Sequence, residues 1–193
     1  VTGCLKIAKE SIFTGTNNFV SETILSSRLS ECFGFVQCEV NQILADAGIE
    51  GKAEMMKKWY DGYHFGSVDV YCPWDVMCYV QKLMTDSNAQ PDNFWKNTSD
   101  NAVIRSFIDY AGASITKKFE TLMDGGYIVQ KVDENLTYDY LHSSEENLWS
   151  MLYLTGYLTR LRDDEIGEAL PEDTVALKIP NREIQELFVT EVS

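Results

Sequence analysis

The stretch SEENLWSMLYLTGYLTR (144–160) opens on two acids, Glu145 and Glu146, and then carries Leu148, Trp149, Met151, Leu152, Leu154 and Leu158. A helix so nearly apolar on every side belongs inside a protein. Its end runs into a strand, after which the acidic loop RDDEIGEALPED (162–173) leads to a second strand, TVALKI (174–179); YIVQKV (127–132) reads as an earlier one. Helix, strand, acidic turn and strand predict a winged-helix-like unit. Such a helix does not offer Arg and Asn to base edges, and the wing is acidic, so the unit is read as one used for packing or protein contact.

Downstream, PNREIQELF (180–188) restarts a helix behind Pro180. Upstream, Ser99 is placed to cap a helix to about Gly112, and Ser114 another to about Met123, closed by Asp124-Gly125-Gly126. VDVYCPWDVMCYVQKLM (68–84) predicts an extended entry to Tyr71, Pro73 in the first helical position, and Val76, Tyr79, Val80 and Met84 on one face, with Trp74 also in the core. FWKNTSDN reads as a buried Phe94-Trp95 anchor. GKAEMMKKWY (51–60) and EVNQILADAG (39–48) are further helices, residues 19–30 one or two short helical turns, SIFTGTNN (11–18) a loop, and VTGCLKI (1–7) a buried strand end.

KKWYDGYHFG (57–66) gathers aromatic rings, an acid and one of two histidines around two glycines. Asp61 or His64 could act as a general acid or base, but no nucleophile, orienting partner or oxyanion donor accompanies them. The stretch is read instead as a corner, with Asp61-Gly62 turning and Trp59, Tyr60, Tyr63 and Phe65 burying large areas. Under a third reading the rings form a partner surface, which full burial of Trp59 and Phe65 would remove.

The 193 residues, 45% hydrophobic and 12% aromatic, suffice for a packed core. A formal charge of −14 repels a phosphate backbone and leaves no basic face for direct nucleic-acid binding. Five cysteines without a CxxC pair, and only His64 and His142 to supplement them, predict no metal site; scattered singly in apolar runs, they read as small buried hydrophobes of a reducing, cytoplasmic setting. No stretch has the ~20 apolar residues of a membrane span. The chain starts inside an apparent strand at Val1 and stops within a helical pattern at Ser193, as a piece of a longer protein would.

The segments VTGCLKIAKESIFTGTNNF, ECFGF, KKWYDGYHFG, VYCPWDV, FWKNTSDN, ENLWSMLYLTGYLT and LKIPNREIQELF, in this order and over nearly the whole chain, resemble the AAA-ATPase-like family. The resemblance implies a parent with a P-loop ATPase core of the archaeal-ATPase or STAND type and a C-terminal PD-(D/E)XK nuclease-like domain. GxxxxGK[ST] and an acid-ended apolar strand do not occur in this sequence, so ATP and Mg²⁺ are cofactors implied for the parent, with none held here. Two departures stand out: Lys6 where the family often has Arg, which weakens any bidentate reading of phosphate, and Val36 at a capping position where Thr is common, which predicts the loss of one cap bond worth ~1 kcal/mol.

On that resemblance Thr2 sits where a polar sensor of the γ-phosphate commonly ends the strand before the lid, with Lys6 downstream; the alternative is a close-packed strand end at Thr2-Gly3 with Lys6 a solvated charge. Arg105 is the remaining candidate nucleotide contact, an arginine reaching over from a lid helix. The expected fold is mainly α with minor β: the end of the ATPase core over 1–16, a helical lid-type bundle over 17–112, a winged-helix-like domain over 113–179 and a linker helix over 180–193. By itself the chain is expected to be inactive, with no catalytic residue. It would couple ATP binding in the core to the nuclease-like domain. The competing expectation is a protein-interaction or assembly module with no response to nucleotide, docking a protein partner.

Overall fold

The computed structural model describes residues 22–97, 112–134, 136, 144–167 and 169–192. Within them the chain is mainly helical, with two small antiparallel sheets. Residues 22–34 are turns and bends, without the helical turns expected up to residue 30. Ten residues, Gln37–Asp46, form α1 behind Val36, whose side chain makes no cap bond; the Glu39 carboxylate partly compensates by accepting the Val36 N–H at 3.0 Å. A 3₁₀ turn leads into α2 (Ala53–Tyr60), which ends at Asp61-Gly62.

Next comes a hairpin of β1 (Tyr63–Phe65) and β2 (Val68–Val70), in register Tyr63 to Val70. A bridge from Phe35 to Tyr71 extends it, and α3 (Pro73–Thr85) follows with Pro73 in the first turn, where its missing N–H costs nothing. Val40, Leu44, Met56, Tyr60, Tyr71, Val76, Tyr79, Val80 and Leu83 close into one core. Two expected core residues lie outside it: Trp74 is 56% exposed and Met84 71%. The inward stripe of α3 runs through Val76, Tyr79, Val80 and Leu83, so Met84 falls one position past the buried face and Trp74 on the opposite side.

The second unit comprises α4 (Ala113–Met123), β3 (Ile128–Lys131), α5 (Glu145–Leu154), β4 (Thr159–Arg160), β5 (Thr174–Lys178) and α6 (Arg182–Val192). Gly112, not Ser114, occupies the N-cap of α4. The strands pair antiparallel in the order β3-β5-β4, with the last strand in the centre. Ser144 caps α5 by accepting the Asn147 N–H at 3.2 Å, Glu145 and Glu146 lie at the positive end of its dipole, and Gly156 ends it at φ +87°. Leu148, Trp149, Met151 and Leu152 are buried to 2% exposure or less, each worth ~1.5–3 kcal/mol relative to a solvated position. α6 adds Ile184, Leu187 and Phe188 to the same core.

The units share a seam. α6 packs on α2 and on the 3₁₀ turn Trp95–Asn97, and β1 lies against β4. Phe94 and Trp95, expected as a buried anchor, are half-buried there and pack against the two cores: Phe94 lies 5.8 Å from Tyr60 of the first, Trp95 edge-on at 5.5 Å from Tyr157 of the second.

Candidate functional site

The chemistry among the described residues concentrates at this seam, and KKWYDGYHFG forms much of it. Gly62 has φ +114°, and a Cβ there would lie 2.1 Å from the Pro180 carbonyl oxygen, so backbone touches backbone where the first unit meets the start of α6. Tyr60 and Tyr63 are buried, whereas Trp59 and Phe65 are only partly so, which leaves a partner surface open to them. His64 is anchored at both ends. Its N–H donates to Thr159 Oγ1 at 2.8 Å, and its Nδ1 meets Asp69 Oδ1 at 2.7 Å. The other Asp69 oxygen accepts from Arg162 at 3.1 Å, Arg162 Nη2 lies 3.6 Å from Glu165, and Glu165 pairs with Lys178 at 2.8 Å. This series of partners runs from hairpin to wing across the surface; in it Asp69 is the orienting partner that the sequence reading did not find for His64, and no nucleophile belongs to the series.

Beneath it lies a different arrangement that the sequence reading missed. Asp75, in the first turn of α3, and Glu183, in the first turn of α6, are both 0% exposed. Glu183 Oε1 accepts the N–H groups of Phe94 at 2.6 Å and Trp95 at 3.1 Å, while its Oε2 has no hydrogen bond of full geometry. Neither Asp75 oxygen has a hydrogen bond of full geometry; the groups that reach it are the Cys72 thiol, the carboxyl of Glu183 and the Trp95 indole. Two ionised carboxylates can only accept, so their contact becomes a hydrogen bond once one is protonated.

Burial, followed by the charge of Asp75, pushes Glu183 up to about 8, and burial likewise raises Asp75. Burial also lifts the Cys72 thiol to about 12, so it is a neutral, weak donor and not a nucleophile. The Tyr63 hydroxyl and Asn181 Nδ2 are buried beside the pair and reach each other without a hydrogen bond of full geometry. An apolar recess of about 200 Å³, walled by Phe33, Tyr63, Phe65, Trp95 and Tyr153, adjoins Cys72.

A signal for the pair was present. Asp75 stands one helical turn from Tyr79 and two from Leu83, and Glu183 one turn from Leu187, so both acids sit on the buried stripes of their helices. An acid in a first turn is ordinarily a solvated partner of the helix dipole, which hides it.

Thr2, Lys6 and Arg105 lie outside the described residues, as do Cys4, Ser99 and the strand expected over 1–7. Of the remaining cysteines, all free, Cys32 and Cys38 are exposed, against the buried place expected of them, and Cys72 and Cys78 are half-buried. Among the described residues no group of three or more His, Cys, Asp or Glu could hold a metal ion, and no helix is long and apolar enough to cross a membrane.

Comparison with known proteins adds little to this geometry. The chain is similar to an "uncharacterized protein in vnfD 5′ region" of Azotobacter chroococcum mcd 1, 29% identical over 82 residues that make up 42% of this chain and 16% of that protein. The matched part thus spans less than a fifth of the relative's length. No family model and no solved structure matches the chain.

Proposed function

We propose that this chain is the lid and winged-helix-like part of an AAA-ATPase-like protein, coupling ATP bound in a P-loop core to movement of a nuclease-like domain. The ordered motifs from VTGCLKI to PNREIQELF favour it, as does a helical unit followed by a winged-helix-like sheet. The observation that carries it is the seam: hairpin, Phe94-Trp95 turn and α6 join both cores, which suits a cap that moves as one body. In this reading the protein is cytoplasmic, ATP and Mg²⁺ belong to the parent, and the chain alone neither turns over ATP nor cuts or binds nucleic acid.

Thr2, Lys6 and Arg105 would contact or sense the nucleotide. In the parent protein, Thr2→Ala, Lys6→Ala and Arg105→Ala should each lower ATP turnover by about tenfold or more with an unchanged circular-dichroism spectrum. Full turnover in all three variants rejects the proposal. A second reading, an assembly module indifferent to nucleotide, draws on the outer face of α3, where Trp74, Met77 and Met84 align and are all exposed. It expects Trp74→Ser to abolish a protein contact of the parent, seen as a change in sedimentation, with ATP turnover untouched.

A further inference from the structure

The geometry points to a proton shared between Asp75 and Glu183, a buried carboxyl–carboxylate latch that joins α3 of the helical unit to α6 of the sheet unit and releases when both acids ionise. Four facts carry it. The two residues are wholly buried and come from elements of the two different cores. Three of their four oxygens, Asp75 Oδ1 and Oδ2 and Glu183 Oε2, have no complete hydrogen bond, a costly condition that a proton between them relieves. The fourth, Glu183 Oε1, is held by two backbone N–H groups, which fixes the direction in which Oε2 points. Finally, no Lys, Arg or His among the described residues is ion-paired with either acid; the other titratable groups facing the pair are Tyr60 of α2, Tyr63 of β1, and Cys72 and Cys78 on either side of Asp75.

Two negative charges in such a place must be neutralised, and with no cationic side chain among the described residues paired to either acid the proton is the neutralising agent. A charge-assisted O–H···O⁻ bond is among the strongest a protein makes, and its loss leaves two like charges facing each other in a dry interior. Protonation is favoured in the folded state, so between the ordinary carboxylate range and about 8 the native chain holds more protons than the unfolded chain. Stability therefore falls as pH rises through that window and levels off above it. The inference stands whether or not the chain answers to nucleotide.

The test is the thermal midpoint of the intact chain from about pH 5 to about pH 9, beside Glu183→Gln and Asp75→Asn, whose amides supply a permanent donor. The wild type is expected to lose about 5 °C or more across the window, and the amide variants less than half as much. Equal losses in wild type and variants overturn the latch. Infrared difference spectra need no variant to fold: a protonated-carboxyl band at neutral pH that vanishes by about pH 10 supports the pair, and its absence at neutral pH overturns it. A midpoint raised by added Na⁺ or Ca²⁺, without that band, would assign the site to a cation and also overturn the proton.

Discussion

Two sets of titratable and charged groups tie the helical unit to the sheet unit, and they differ in their exposure to solvent. The outer set, His64–Asp69–Arg162–Glu165–Lys178, has formal partners at every step but is half in water: the Arg162 side chain is 46% exposed and that of Asp69 36%. Water and salt screen such pairs, and holding long side chains in place offsets much of the attraction. The inner set has two acids, no exposure and, among the described residues, no paired cation. The well-paired set is energetically minor, whereas the apparently mispaired one controls whether the seam stays closed.

That contrast can be broken at several points. The largest effect is expected at Gly62, where alanine combines an unfavourable positive φ with a clash against the Pro180 carbonyl; a loss of about 3 kcal/mol or more should appear in urea unfolding, centred on the seam both sets cross. A loss under about 1 kcal/mol would show that the backbone contact there gives way easily. Glu183→Ala comes next. It strips the N–H groups of Phe94 and Trp95 of their acceptor and opens a cavity, for roughly 2–4 kcal/mol, with α3 and α6 showing faster hydrogen exchange. Smallest is Arg162→Ala, at about 1 kcal/mol or less and vanishing in high salt, measured by the same unfolding curves in low and high NaCl. A larger cost at Arg162 than at Glu183 would reverse the ranking of the two sets.

Much of the fold could be read beforehand, and the reason is local. Pro73 and Gly125 fix element ends through the missing N–H and a positive φ, and the run Leu148 to Leu152, apolar but for Ser150, has to be interior wherever it goes. The same reasoning failed at Trp74 and Met84, because a helix with apolar residues on two faces does not announce which one is covered. At the seam, KKWYDGYHFG was legible as a corner through Gly62, but the tie of His64 to Thr159 spans 95 residues, and that of its partner Asp69 to Arg162 spans 93, so neither has a local trace.

The kind of most elements, the start of α3 at Pro73 and the interior place of α5 were thus settled by the sequence itself, since each depends on neighbours within a few residues. What only the tertiary structure decided is the meeting of Asp75 with Glu183. An acid's ionisation depends on what excludes water from it, and that covering is assembled from helices, strands and a turn far apart along the chain.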